Sequence, residues 1–243
     1  MNLIICMAGL YRRFRDAGYQ QPKFLLPWRG RPLLVHILDA MLAEGSFATI
    51  TLIANRRDRG HRSAIEACLG ALGLDPGGCH FIGDTRGQAE TALIGVQEMD
   101  TRWQPTDRRI VFHNIDTILY RRDWPHIGQI LSEADGFIDC FAADDPCYSY
   151  VRVGTAGQVV EMKEKVVISD MATSGCYGFA DADRFRQMVR RMLAEQTDGE
   201  VYISGVYDAM LRDGAWVVAE RAANDDTLIF GTPAMYETWC TTD

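Results

Sequence analysis

Residues 2–9 read Asn2-Leu3-Ile4-Ile5-Cys6-Met7-Ala8-Gly9, an apolar run that closes on small residues. Such a run is typical of a short strand buried on both faces of a parallel sheet. The glycine at its end predicts that the strand leads into a loop. Pro22 and Pro27 keep this loop extended or turning, and Pro32 stands in the first turn of a helix predicted over 32–45. The opening of the chain is therefore a strand, a loop and a helix.

Strand and helix patterns alternate along the first half of the chain. Further strands are predicted over 49–54, 79–83 and 109–113, and helices over 59–73 and 87–98. Alternation at this spacing is typical of right-handed βαβ units and a mostly parallel sheet.

After residue 135 the pattern changes to closely spaced strands, which indicates a more antiparallel part. The fold class predicted is α/β and Rossmann-like: a mixed, mainly parallel sheet flanked by helices, with a smaller antiparallel part. The elements predicted here are strands over 136–142, 148–153, 159–163, 175–179 and 215–220, and helices over 182–196 and 202–213.

Composition argues against several classes of protein. The formal net charge is −8, whereas a nucleic-acid-binding surface needs clustered Lys and Arg, so no nucleic acid partner is expected. No apolar run approaches a membrane-spanning length, and the N-terminus lacks the features of a secretory leader. Seven cysteines without a Cys-x-x-Cys pair predict reduced thiols. The chain is therefore expected to be cytoplasmic, with no membrane partner.

One local segment departs from this acidic character. The run Tyr11-Arg12-Arg13-Phe14-Arg15, followed by Lys23, is strongly cationic and suits a small anionic ligand. Ligands of open α/β sheets bind at the carboxyl ends of the strands, so this loop should lie near the loop after residue 113. Arg13 and Lys23 can neutralise phosphate oxygens, and Asp116 can hold a Mg²⁺ that bridges phosphates. On spacing alone, solvated surface charges and a turn-capping aspartate are the commoner explanation.

The motifs of the first loop resemble those of sugar-phosphate nucleotidyltransferases. That family has an Ala-Gly-x-Gly-(Ser/Thr)-Arg loop around the NTP phosphates and a lysine after proline near the reacting phosphorus. The resemblance implies that Arg13 and Lys23 are the catalytic cations and that Ala8 and Gly9 contact the nucleotide. The matching residues here are Met7-Ala8-Gly9-Leu10-Tyr11-Arg12-Arg13-Phe14, Pro22-Lys23 and Gly30-Arg31-Pro32-Leu33.

Later segments resemble the same family in the same order. They are Thr85-Arg86-Gly87-Gln88-Ala89-Glu90-Thr91, Asn114-Ile115-Asp116, Val160-Glu161-Met162-Lys163-Glu164-Lys165, Thr173-Ser174-Gly175-Cys176-Tyr177-Gly178-Phe179 and Gly231-Thr232-Pro233. The resemblance implies nucleotide contacts at Gly87, Gln88 and Asn114, and a metal ligand at Asp116. It also implies that Glu164 binds an acceptor hydroxyl, Lys165 the acceptor phosphate, and the Gly175 backbone another polar group.

Two positions depart from the family pattern. Tyr11 and Arg12 stand where the loop has Gly and Ser or Thr, although glycine lets backbone N–H groups approach phosphate closely. Ile229 stands where a second metal-binding aspartate is expected, and Asp226, or its neighbour Asp225, is the candidate to replace it. Either the phosphate loop is reshaped or the activity is altered.

The resemblance implies a nucleotidyltransferase of GT-A type fold. It would use Mg²⁺ to transfer NMP from an NTP to a phosphorylated small molecule, a sugar 1-phosphate, for nucleotide-sugar or surface polysaccharide biosynthesis. Residues 1–243 would form one domain, with 1–130 as the nucleotide-binding half and 131–243 as the acceptor-binding half. Two alternatives are a glycosyltransferase of the same fold and a nucleotide-binding module that has lost catalysis. The base, the acceptor and the formation of a homo-oligomer stay open.

Overall fold

The chain folds around one nine-stranded mixed sheet with helices on both faces. The computed structural model describes residues 1–242. Their strands are β1 (Asn2–Met7), β2 (Pro27–Trp28), β3 (Arg31–Pro32), β4 (Thr49–Asn55), β5 (Cys79–Ile82), β6 (Ile110–Asn114), β7 (Thr117–Leu119), β8 (Gly136–Ala142), β9 (Tyr150–Val153), β10 (Val159–Lys163), β11 (Met171–Phe179), β12 (Val217–Arg221) and β13 (Thr227–Ile229). Their helices are α1 (Arg12–Asp16), α2 (Leu33–Leu42), α3 (Arg62–Ala71), α4 (Gln88–Arg102), α5 (Trp124–Glu133), α6 (Ala182–Glu195), α7 (Ile203–Arg212) and α8 (Pro233–Thr241).

Parallel strands form the centre and one side of the sheet. The strand order is β10-β9-β11-β6-β1-β4-β5, and β8 joins β11 to β12. β1 pairs in parallel with β4 and β6, and β4 pairs in parallel with β5. β11 runs antiparallel to β6, β8 and β9, so its direction is opposite to that of the parallel strands. The predicted α/β fold with a mixed, mainly parallel sheet is confirmed.

The apolar run of β1 is buried on both faces. Leu3 and Ile5 are fully buried in the cluster that includes α2, whereas Ile4 belongs to the cluster on the opposite face that includes α4, α6 and α7. Gly95 of α4 allows a close approach there, because a Cβ at this position would lie 2.4 Å from Cγ2 of Ile4. Side chains alternate between the faces of a strand, which explains why β1 is apolar without interruption.

Several elements differ from the sequence prediction. The loop predicted as extended or turning contains α1, whose Phe14 is 1% exposed and anchors it in the core. β11 begins at Met171, four residues before the predicted start. The sequence prediction also missed β2, β3, β7, α5, β13 and α8. α5 starts at a Trp124-Pro125 pair after Asp123, whose carboxylate accepts the N–H of His126 at 2.8 Å as an N-cap.

Two further observations concern membranes and thiols. Among residues 1–242, no helix combines the length and apolar character needed to cross a membrane. All seven cysteines carry free thiols, and four of them are buried.

Candidate functional site

A cavity of about 940 Å³ opens where β1, β5 and β6 end. Its lining combines the loops that follow these strands with β11 and the segments around residues 148 and 202. Of the predicted site residues, only Asp226 and its alternative Asp225 are absent from this lining. The structure brings together Arg13, Lys23, Ala8, Gly9, Gly87, Gln88, Asn114, Asp116, Glu164, Lys165 and Gly175.

The first loop enters the cavity through a fixed turn at Tyr11. Its backbone is left-handed, with φ 34° and ψ 44°, a conformation that costs a non-glycine residue about 1–3 kcal/mol. The Tyr11 hydroxyl donates to the Oδ1 carboxylate oxygen of Asp58, which is 1% exposed. Burial raises the pKa of Tyr11, and the bond to Asp58 raises it further, so the phenol stays protonated. The side chain thus fixes a turn that glycine would leave free.

This turn carries two cationic side chains to the cavity. Arg12 and Arg13 are exposed and line the cavity, and neither forms an ion pair with any residue among 1–242. Arg15 instead lies over the Tyr11 ring, with its guanidinium carbon 5.6 Å from the ring centre. Two guanidinium groups are therefore available to a phosphate chain, which they can bind with paired hydrogen bonds.

Lys23 and Asp116 form an ion pair on the same wall. The Lys23 Nζ lies 2.7 Å from Oδ2 of Asp116, and the two side chains are 15% and 26% exposed. Burial alone would raise the pKa of Asp116, but the Lys23 ammonium outweighs it and the pKa lies below its ordinary value. Asp116 is consequently ionised at neutral pH and can share its charge between a lysine and a cation.

The turn after β6 is held by His113. Its ring Nε2 lies 2.7 Å from the carbonyl oxygen of Thr117, and the ring is fully buried. Burial lowers the pKa of His113, which keeps the ring neutral. The Thr117 carbonyl can only accept, so Nε2 carries the proton and donates. This bond fixes the turn on which Asp116 stands.

Another part of the cavity lining is built around Glu164. Its carboxylate accepts hydrogen bonds from the hydroxyls of Ser149 and Ser204, the second at 2.8 Å. Lys165 donates to the Tyr202 hydroxyl at 3.0 Å, and its Nζ lies 4.7 Å from the centre of that ring. A carboxylate held by two hydroxyls still has lone pairs for a ligand hydroxyl.

The residues present fit a Mg²⁺ site with one protein carboxylate. Asp116 can supply it, since Mg²⁺ is usually held by one or two carboxylates together with phosphate oxygens and water. Residues 1–242 contain no group of three or more His, Cys, Asp or Glu side chains arranged to hold a metal. Asp226 is ion-paired with Arg121 instead, and Ile229 lines the cavity in its place. The structure therefore does not bring the second predicted ligand to Asp116.

Sequence reasoning missed several residues that line or support the cavity. Asp84 directly follows the strand predicted over 79–83, a position that should have marked it. Ser174 lies inside the motif that begins at Thr173, so its position could have been marked. Three others lie in no motif and are identified only by their contacts with Glu164 and Lys165: Ser149, Tyr202 and Ser204.

Solved structures resemble the chain over its full length. A nucleoside-diphosphate-sugar pyrophosphorylase from Vibrio cholerae has 26% identity and a TM-score of 0.86, covering 98% of this chain and 99% of that chain. A protein from Bacillus anthracis assigned as a glucose-1-phosphate thymidylyltransferase, in complex with sucrose, has 17% identity and a TM-score of 0.80, covering 100% and 94%. The inositol-1-phosphate CTP transferase of T. maritima has 14% identity and a TM-score of 0.70, covering 98% and 93%. No protein-family model matches the chain, and no curated protein matches it.

Proposed function

We propose that this chain, whose fold and motif order are those of sugar-phosphate nucleotidyltransferases, is such an enzyme. It transfers NMP from an NTP to a phosphorylated sugar and releases pyrophosphate, as a step of nucleotide-sugar biosynthesis. The resemblance seen in the motifs is confirmed by the solved structures that share the fold. The observation that carries the proposal is one cavity containing unpaired arginines, the Lys23–Asp116 pair and the Glu164-Lys165 dipeptide.

The two ends of the cavity suit the two substrates. Under this proposal residues 1–130 form the nucleotide half of one domain and residues 131–243 the acceptor half. Arg13, with Arg12 beside it, is unpaired and cationic, which supports binding of a triphosphate. Glu164 has lone pairs for a hydroxyl, and Lys165 offers an ammonium to a phosphate. The acceptor is therefore a molecule with both a hydroxyl and a phosphate.

The reaction proposed is an in-line displacement at the α-phosphorus. An acceptor phosphate oxygen forms the new P–O bond, while the bond to the oxygen bridging the α- and β-phosphorus breaks and pyrophosphate takes its electron pair. The nucleophile is already an oxyanion, so no general base is required. Arg13 and Lys23 neutralise charge that develops on the transferred phosphorus and the leaving group. Positioning by the two ends of the cavity contributes the remainder.

Mg²⁺ is part of the proposal, with Asp116 as its protein ligand. When bound, the ion would neutralise phosphate charge and orient the triphosphate. The low pKa of Asp116 keeps this carboxylate ionised at neutral pH, as a ligand must be. A cytoplasmic location is also proposed, because the free thiols suit a reducing compartment and NTPs are the substrates.

The test is pyrophosphate release with Mg²⁺ from ATP, GTP, CTP, UTP and dTTP, each against sugar 1-phosphates and other small phosphorylated acceptors. We expect release that depends on one NTP and one acceptor together. If no pyrophosphate is released, and a nucleoside diphosphate forms when the protein is given a nucleotide sugar instead, the protein would be a glycosyltransferase. Nucleotide binding without turnover on any acceptor would indicate a binding module.

A further inference from the structure

Ser174 lies in a bulge of β11 at the wall of the cavity. Thr173 pairs with Cys140 of β8 and Tyr177 pairs with Ile138, so three residues of β11 stand opposite one residue of β8. Gly175, inside the bulge, has φ 85°, and a Cβ there would lie 2.5 Å from Nδ2 of Asn114. Bulges interrupt strand pairing and redirect side chains, often beside active sites.

The Ser174 hydroxyl has no partner within the part of the chain that the structure describes. The residue is 4% exposed, it lines the cavity, and its Oγ makes no hydrogen bond with residues 1–242. Buried polar groups are almost always hydrogen-bonded, so an exception needs a physical reason. A serine hydroxyl moves among three positions by rotation about one bond, which lets it meet a ligand without a backbone shift.

The surroundings of Ser174 belong to the acceptor end of the cavity. The backbone N–H of its neighbour Thr173 donates to the carbonyl oxygen of Ser149 at 2.8 Å, and the Ser149 hydroxyl donates to Glu164. The Thr173 and Tyr177 hydroxyls are bonded to each other at 2.9 Å, so neither competes for a ligand as freely as Ser174. A neutral hydroxyl with one donor and two lone pairs matches another neutral hydroxyl.

We propose that Ser174 is a specificity-determining residue whose hydroxyl bonds a hydroxyl of the acceptor. This inference rests on the proposed function and narrows it: the acceptor carries at least two hydroxyl groups besides its phosphate, one for Glu164 and one for Ser174. A site built to bond a substrate hydroxyl discriminates strongly against an analogue that lacks it, because the buried protein group is then left unpaired.

The test compares Ser174→Ala with the control Thr51→Val. Thr51 is also fully buried with a hydroxyl that has no partner among residues 1–242, but it lies in β4 outside the cavity lining. Calorimetric titration with glucose 1-phosphate, mannose 1-phosphate and inositol 1-phosphate identifies the acceptor, and pyrophosphate release gives the KM values. Ser174→Ala should weaken acceptor binding about tenfold and raise the acceptor KM equally, with the NTP KM unchanged. Thr51→Val should change neither.

Two further readouts separate binding from structure. Each variant removes a buried hydroxyl without a partner, so its melting temperature should equal or exceed that of the wild type. With monodeoxy forms of the acceptor, the loss caused by Ser174→Ala should disappear for the one analogue that lacks the partner hydroxyl.

The outcomes distinguish this inference from the proposed function. Equal acceptor binding by wild type and Ser174→Ala, or a loss that persists with every deoxy analogue, overturns the role of Ser174 while turnover upholds the transferase. A wild type that binds an acceptor in a Ser174-dependent way but releases no pyrophosphate upholds Ser174 and overturns the transferase. A wild type that binds none of the three phosphates and releases no pyrophosphate contradicts both.

Discussion

Replacement of Lys23 should lower the reaction rate without changing the fold. Lys23→Ala removes an ammonium from the cavity, so the rate of pyrophosphate release should fall by about 10²–10³, the usual effect of losing one group that stabilises transition-state charge. The circular dichroism spectrum should stay unchanged. Lys163→Ala, which removes an exposed lysine outside the cavity lining, is the control and should keep the wild-type rate. A Lys23→Ala rate near that of wild type would remove Lys23 from the mechanism.

Loss of the Tyr11 hydroxyl should impair NTP binding and stability more than loss of the Tyr19 hydroxyl, which also bonds a carboxylate. Tyr11→Phe leaves a buried oxygen of Asp58 without its donor, at a cost of about 1–3 kcal/mol, and releases the turn that carries Arg12 and Arg13. We expect a higher NTP KM and a lower midpoint of urea unfolding. Tyr19→Phe is the matched control, because its hydroxyl bonds the exposed Glu237 at 3.0 Å outside the cavity. Equal effects of the two variants on the NTP KM would contradict this role.

His113 should make the protein sensitive to mild acid. Burial lowers its pKa in the folded state below the ordinary value of about 6.5, so the unfolded chain binds the extra proton first as pH falls. The contribution of the neutral His113 ring to stability is therefore fully present above about pH 6.5, and it is lost as pH falls from about 6.5 toward the folded pKa. Melting temperatures between pH 7.5 and 5 should show this loss, and His113→Gln should reduce it. The exposed His126→Gln should retain the loss, because Glu220 raises the pKa of His126 and its contribution to stability depends on pH in the opposite sense. Identical pH profiles for wild type and His113→Gln would rule out this role of His113.

Arg122 connects the small β7–β13 sheet to the main sheet. Its guanidinium bonds both carboxylate oxygens of Asp139 in β8, at 2.8 and 2.9 Å, and also the Asp226 carbonyl and the Thr227 hydroxyl. Both charged side chains are 4% exposed. This contact fixes the β13 segment, which leads to Ile229 at the cavity.

Removing one partner of this pair should be costly. Arg122→Met leaves the Asp139 charge buried and unpaired, so the free energy of unfolding in urea should drop by about 3–5 kcal/mol. Arg122→Met combined with Asp139→Leu should recover much of that loss. Arg212→Met, which breaks the ion pair of the exposed Arg212 with Asp208, should cost less than about 1 kcal/mol. An Arg122→Met protein as stable as the Arg212→Met control would show that the Arg122–Asp139 pair is unimportant for stability.

Periodicity predicted the long elements and failed for short or mixed ones. β1 is an apolar run, β4 is rich in β-branched and apolar residues, and α6 has its buried Phe185 and Val189 at helical spacing, so the sequence predicted all three. β7 has three residues, too few to show alternation. α8 begins at Pro233 and buries only Tyr236 fully, so it has no apolar stripe. Its capping hydroxyl, Thr232, lies inside the Gly-Thr-Pro segment and was the one local signal.

In the molecule as a whole, the sequence predicted those parts of the candidate site that lie in local motifs. The first loop, Asp116 and the Glu164-Lys165 pair were marked by residue type and order, and the topology places them at one cavity. The contact of Tyr11 with Asp58 spans 47 residues, and that of Glu164 with Ser204 spans 40. Such contacts depend on how the strands are ordered in the sheet, which a single sequence does not encode locally. These long-range contacts hold the motif residues in place, and the motifs themselves do not predict them.

The order of the strands also explains why residues from both halves of the chain line one cavity. β11 reverses direction beside β6, so Gly175 and its neighbours in the second half reach the strand end that carries Asn114 and Asp116. Under the proposed function, the nucleotide and the acceptor would therefore be bound at the same edge of the sheet. This arrangement suits an in-line displacement, in which the nucleophile enters opposite the leaving group.

The proposed transfer of NMP to an acceptor phosphate is tested most directly by ³¹P NMR of a reaction with Mg²⁺, the matching NTP and its phosphorylated acceptor. We expect the acceptor phosphorus to become coupled to the α-phosphorus of the nucleotide in a new diphosphate, with free pyrophosphate appearing in equal amount. Unchanged acceptor phosphate beside NMP, NDP or inorganic phosphate would contradict it, because the triphosphate would then be hydrolysed rather than joined to the acceptor.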